Sequence, residues 1–343
     1  MEGQKVRLPY FDALRGLAIM CVVSIHCAPV LSGSVGDSCA TVLFRGLHDV
    51  AVPLFLALSG YFLTLRDKAA DHRSFLRRQL PGIYIPMLLF SLPWLYLTYV
   101  TEIIWHVRVL NPEGIAVQLA KLFGGGFGTM YFVTVLIQFY LLLPWLQRLA
   151  NGRGLAIAAA VTLLANIGSE WLQFFSGCDL LQVVHSGLFV NWLLFFVMGM
   201  CFARRRPDSG LLMPLALIAA GLAMQYAETV YISGCDVSPQ FWLDYKTGSS
   251  VLAAGIIWLL FDQRTERCFR DNVLNRGLRY LGRMAFGIYL LNPLFAWVIV
   301  LYVPVLSDSW AGRWIFTMAC CMAVVEIGRR IHRPMAERYL GFR

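Results

Sequence analysis

Apolar residues run along this chain in blocks of about twenty, broken by short polar stretches. The blocks fall at residues 10–31, 47–65, 83–104, 127–147, 154–175, 187–203, 210–232, 247–262, 284–303 and 311–328. A helix rises about 1.5 Å per residue, so roughly twenty residues cross the ~30 Å hydrocarbon layer of a bilayer. The pattern predicts an all-α, polytopic integral membrane protein of about ten transmembrane helices, several of them short or tilted. No fixed-period repeat or low-complexity tail interrupts it, and residues 1–343 read as one membrane domain.

Composition agrees. The chain is 58% hydrophobic and only 14% charged, with a mean hydropathy of +0.63, more apolar surface than a soluble domain can hide. The net charge of +9 raises nucleic acid as a partner, but its distribution excludes that. With the N-terminus placed in the cytoplasm, 23 of the 29 basic residues fall in cytoplasmic segments. The outer loops keep Arg45, Arg108, Lys121, Lys246 and Arg313. This positive-inside pattern puts both termini in the cytoplasm. The richest cytoplasmic segments, Arg66–Gln79 and Arg264–Arg283, read as basic loops. Lys5 and Arg7 before an apolar run imitate a signal peptide, but Arg15 and His26 inside the run argue against cleavage.

Of the nine cysteines, Cys39, Cys178 and Cys235 fall in outer loops, where an oxidising compartment allows two of them to pair. No Cys/His spacing suggests a metal. The run Gly124–Gly128 has the composition of a phosphate cradle but lacks the following Gly-Lys-Ser/Thr. It reads as a flexible lead-in to the fourth span.

The most informative polar positions are Arg15 and His26, eleven residues apart in the first span. Eleven steps of about 100° return to within ~20°, so the two share one helix face, ~16 Å apart along the axis. Ionisable groups inside a bilayer are costly and default to function; a snorkelling arginine and a packing histidine are the plain alternative. Asp12, one turn below Arg15, is placed to pair with it.

Four blocks resemble the membrane-bound acyltransferase-3 family. They are Asp12-Ala13-Leu14-Arg15-Gly16-Leu17-Ala18 with His26, and Val52-Pro53-Leu54-Phe55 running on to Ser59-Gly60-Tyr61-Phe62. The others are Met130-Tyr131-Phe132-Val133 with Tyr140–Pro144, and Gly282–Leu290 with its Tyr289-Leu290. The wording is most similar to stand-alone O-acetyltransferases of the kind that modify enterobacterial common antigen. The resemblance implies an acyl group, usually acetyl, moved from cytoplasmic acetyl-CoA to a hydroxyl of a lipid-linked or cell-envelope glycan, in a bacterial inner membrane. Three positions depart from the family pattern. Pro81 stands where a second arginine is expected after Arg77-Arg78, Asn292 where a histidine precedes Pro293, and His332-Arg333-Pro334 where Glu-Lys/Arg-Pro is expected.

These readings assign His26 and Arg15 to catalysis. His26 serves as general base or as acyl-carrying nucleophile, and Arg15 orients the donor or stabilises an oxyanion. Arg77, Arg78 and the Arg264–Arg283 segment, with Arg15, would hold the anionic acyl-CoA. Asp12, Ser59, Tyr61, Asn292 and Tyr289 support the substrate or the packing. On the outer side His48, Asp49, Glu102, Glu170, His185 and Glu228, with Trp171, Trp192 and Trp242, would form a sugar-binding mouth or simply a solvated rim. A small-solute transporter and a non-catalytic partner of a polysaccharide assembly complex are the competing classes.

Overall fold

A computed structural model describes residues 8–27, 44, 46–105, 112–127, 130–176, 186–208, 210–233, 247–307 and 309–342. The described residues form helices and no strand. The main helices are α1 (Pro9–Cys27), α2 (Ala51–Leu65), α3 (His72–Gln79), α4 (Pro81–Trp105), α5 (Pro112–Gly124) and α6 (Tyr131–Leu146). They continue with α7 (Gly152–Ser176), α8 (Leu193–Arg204), α9 (Leu212–Ser233), α10 (Thr247–Phe261), α11 (Val273–Tyr302) and α12 (Trp310–Tyr339).

Among the described residues, 8 helices are long and apolar enough to cross a membrane: α1, α2, α4, α6, α7, α9, α11 and α12. Their outer faces carry large apolar side chains that a water-exposed surface would reject, such as Leu212 (84% exposed) and Ile331 (78%). The remaining two expected spans appear as α8 and α10, of only 12 and 15 residues. Both are walled in by other helices, and every residue of α8 from Leu193 to Met200 is buried. A helix surrounded by protein has no need to match the bilayer thickness.

Three expectations about connections are corrected. The basic segment Arg264–Arg283 is mostly helical, with only 268–272 outside a helix. Asp262 caps the one-turn helix Gln263–Arg267 by accepting from the Arg264 amide, and Asn272 caps α11 by accepting from Asn275. Helix α11 therefore begins eleven residues before the apolar block it carries. Residues 105–126, expected as an outer connection, contain α5, whose Phe123 carbonyl accepts from Tyr84 in the first turn of α4 at 3.2 Å. The helix folds back along α4 instead of lying in a loop. Its Gly125 adopts a left-handed φ of 73° and the Thr134 hydroxyl bonds the Gly124 carbonyl at 2.6 Å, so residues 124–127 make a pinned turn, and Gly128 lies outside the described residues.

Pro81 opens α4, where its missing N–H is harmless. The backbone of α12 breaks at His332, whose Nδ1 accepts from the Met335 amide across Pro334.

The helices meet through glycines. A Cβ at Gly16 of α1 would overlap the Leu278 carbonyl of α11, and one at Gly282 of α11 would overlap the Asp12 carbonyl of α1. The same reciprocity joins α2 to α8 (Gly60 against Phe196, Gly199 against Ala57) and α9 to α10 (Gly221 against Leu252, Gly255 against Ile218). Lipid tails are as apolar as leucine, so burial alone does not hold helices together there, and close backbone approach does.

Gly282→Leu should therefore lower thermal stability of the detergent-purified protein by about 1–3 kcal/mol or prevent folding. Gly277→Ala, on the same helix with nothing within 4 Å of the added carbon, should be neutral or stabilising by up to about 1 kcal/mol. Equal losses at the two positions would refute the close-contact account.

Candidate functional site

Helix α1 is continuous from Pro9 to Cys27, so Arg15 and His26 share the face the sequence assigned to them. Ile19 and Val22 lie between them on that face, at 0% and 4% exposure. His26 occupies the last turn of the helix, half-buried.

Arg15 is the better defined of the two. Its guanidinium bonds the Asp12 carboxylate at 2.6 Å, as the spacing predicts. It also lies 4.6 Å from the centre of the Phe62 ring. Arg66, at the end of α2, reaches the same ring at 5.4 Å. Two guanidinium groups thus share one aromatic ring while a single carboxylate answers them. Tyr140 of α6 lies near Arg15. Such a group of cations in a partly dry setting favours an anion between them.

Helix α3 docks at the same place. Its His72 Nε2 lies 2.7 Å from the Tyr140 carbonyl, and Phe75 meets the Tyr140 ring edge-on at 5.0 Å. Arg77 and Arg78, carried by α3, stand exposed near this mouth. Arg78 is tied to the Ser74 carbonyl and faces Asp71 at 3.9 Å, both well exposed. No contact among the described residues joins either arginine to Arg15. Three of the six arginines of the former basic loop are paired: Arg264 with Asp208, and Arg276 and Arg279 with Asp271.

Other expected residues have structural work. Tyr61 stacks on Phe11 at 4.7 Å, and the Ser59 hydroxyl donates to the Phe55 carbonyl of its own helix. Tyr289 packs edge-on against Phe132 at 5.5 Å. Asn292 is fully buried and donates to the carbonyls of Tyr289 (2.7 Å) and Ile288 (3.2 Å). Pro293 lacks the N–H that would bond the Tyr289 carbonyl four residues back, and the Asn292 amide fills that vacancy. Asn292, expected to support the substrate or the packing, thus donates both its bonds within α11.

On the outer side, His48 Nδ1 lies 2.6 Å from the Phe44 carbonyl. Asp49 is buried and lies near Cys21 of α1, about 120° round the helix from Arg15. Glu170 and Glu228 converge on the N-terminus of α10. Glu170 accepts from the Thr247 amide and hydroxyl at 3.4 and 3.3 Å, and Glu228 from the Gly248 amide at 3.0 Å. Their negative charge meets the positive end of the helix. The Trp171 ring stacks on Phe175, and the Trp192 indole donates to the Ser186 carbonyl. The side chain of Glu102, with His185, Trp242, Cys39, Cys178 and Cys235, lies outside the described residues. No group of three or more potential metal ligands occurs among those described.

Sequence reasoning missed Arg66 and Tyr140 as members of the Arg15 site. Both stood in stretches already noted, but only the packing of α2 against α1 and of α6 against α3 brings them there.

The family model for an acyltransferase domain, acyltransferase-3, matches residues 8–325. The chain belongs to this membrane acyltransferase family and is a multi-pass membrane protein. No curated protein matches the chain, and no solved structure does.

If the Asn292 amide replaces the bond lost at Pro293, Asn292→Ala should cost about 1–3 kcal/mol of thermal stability. The cost should shrink when Pro293→Ala restores the backbone donor. A penalty unchanged in the double variant would show that Asn292 acts on something other than the Tyr289 carbonyl.

Proposed function

We propose that this acyltransferase moves an acyl group, acetyl by preference, from cytoplasmic acyl-CoA to a hydroxyl of a cell-envelope or lipid-linked saccharide in a bacterial inner membrane. The carrying observation is the Arg15–Asp12 pair, with Arg66 on the shared Phe62 ring, at one end of the helix face that ends in His26. Both termini face the cytoplasm in this reading. Each of the contacts Arg204–Gln147, Arg264–Asp208 and Arg329–Arg283 joins two segments that it assigns to that side.

The anionic part of the donor sits against Arg15 and Arg66, with Arg77 and Arg78 at the entrance. The acyl arm extends along the α1 face to His26, which requires the helices packed on Ile19 and Val22, at 0% and 4% exposure, to part. The ~16 Å between the two residues, and the pull of Asp12 on the guanidinium toward the helix N-terminus, support a donor-binding role for Arg15. It binds the donor, and one thioester carbonyl cannot touch both groups, so oxyanion stabilisation falls to other donors near His26.

At His26 two routes serve. In the first, the neutral imidazole accepts the hydroxyl proton as the acceptor oxygen bonds the thioester carbon; the C–S bond breaks, the CoA thiolate departs, and the ester forms. In the second, the ring nitrogen attacks the thioester, expels the thiolate and then passes the acyl group to the hydroxyl. Acceptance of the proton by solvent or thiolate completes either route.

Membranes containing wild-type protein should transfer label from radiolabelled acetyl-CoA to envelope glycan. His26→Ala should lose about 10²–10⁴-fold or more in rate with unchanged expression and chromatographic behaviour. Arg15→Ala and Arg66→Ala should raise the donor KM more than they lower kcat. Transfer at the normal rate by folded His26→Ala protein would end the proposal. Mass spectrometry of protein held with donor and no acceptor separates the routes, since only the second leaves an acylated His26.

A further inference from the structure

A second basic site lies away from the Arg15 face. The start of α7, the end of α8 and the end of α10 enclose a cleft of about 820 Å³. Three successive arginines, Arg204, Arg205 and Arg206, line it, with the indole of Trp258 and the side chains of Asn151 and Gln263. Its carboxylate, Asp208, is held by Arg264 at 3.2 Å. Arg206 is engaged by Glu266 and by the Phe261 carbonyl. Arg204 donates to the backbone and side-chain oxygens of Gln147 at 3.0 and 3.3 Å, neutral acceptors that leave its charge uncompensated. The Arg205 side chain has no polar partner among the described residues.

We propose that this cleft binds a phosphate-bearing anion. Guanidinium groups match phosphate oxygens in charge and in fork geometry. Among the described residues two of the three arginines lack a counter-ion, and the Gln147 contact fixes Arg204 as a rim of the cleft. A basic pocket between membrane helices at their basic ends is also the setting in which anionic headgroups bind. Leu211, Leu212 and Met213, at the start of the neighbouring α9, are exposed at 50%, 84% and 49%. The cleft is distinct from the donor site. From Arg206 the contacts run to the Phe11 ring (5.4 Å), from Phe11 to Phe62 (5.5 Å) and from Phe62 to Arg15 (4.6 Å). Two buried rings, Phe11 at 0% and Phe62 at 9% exposure, thus stand between the arginines. The proposal rests on the cleft alone and holds whichever residues carry acyl transfer.

The phosphate comes either from a membrane lipid or from a soluble molecule, and the test has an arm for each. Full-length protein is placed in nanodiscs of phosphatidylcholine with increasing phosphatidylglycerol, and retained lipid is counted by native mass spectrometry. In parallel, inorganic phosphate and coenzyme A are titrated into phosphatidylcholine nanodiscs. One of the two arms should show binding that Arg205→Glu weakens about tenfold or more. Arg338→Glu, an equal charge change outside the cleft, should bind as wild type does. Arg205→Gln, which removes the charge and keeps most of the length, should fall between. Binding in the lipid arm assigns the site to a headgroup, and binding in the soluble arm to a free phosphate compound. Absence of binding in both arms, or binding that Arg205→Glu and Arg338→Glu alter equally, overturns the proposal.

Discussion

The contact on which the rest of this molecule depends is the close approach of α1 and α11 at Gly16 and Gly282. It lies on the turn that carries Asp12 and Arg15. Gly16 follows Arg15 directly, and the carbonyl that faces Gly282 is that of Asp12. The backbone that presents the guanidinium is therefore clamped by a neighbouring helix, with no side chain between them. In a medium that gives apolar helices little reason to associate, this kind of contact fixes both packing and chemistry.

A charged group inside a bilayer must be answered locally. Arg15 is answered by Asp12 and by the face of Phe62. Glu170 and Glu228 are answered by the exposed amides that open α10. The same economy shapes the proline sites: Pro293 frees a carbonyl, and Asn292 beside it closes the gap.

Much of this was legible in the sequence. Apolar block length marked the helices, the spacing of Asp12, Arg15 and His26 put them on one face, and the Asp12–Arg15 pair followed from a three-residue step. What stayed hidden depends on neighbours in space. The shortness of α8 and α10 reflects burial among other helices, which block length does not record. The extension of α11 to Val273 rested on the Asn272 cap within a segment whose charge suggested a loop. The return of α5 along α4 hung on one hydroxyl, that of Tyr84. Arg66 and Tyr140 joined the site only through the packing of α2 on α1 and of α6 on α3, and a linear reading had no means of choosing Arg66 over Arg77 or Arg78.

The division of labour along α1, anion at Arg15 and acyl carbon at His26, is tested most directly by an experimental structure with a non-transferable acyl-CoA thioether bound. The account predicts donor phosphates at Arg15 and Arg66, and the acyl carbon within about 4 Å of a His26 ring nitrogen, near-attack range. An acyl carbon at the Arg15 end, or a donor seated on a face of the bundle away from α1, would contradict it.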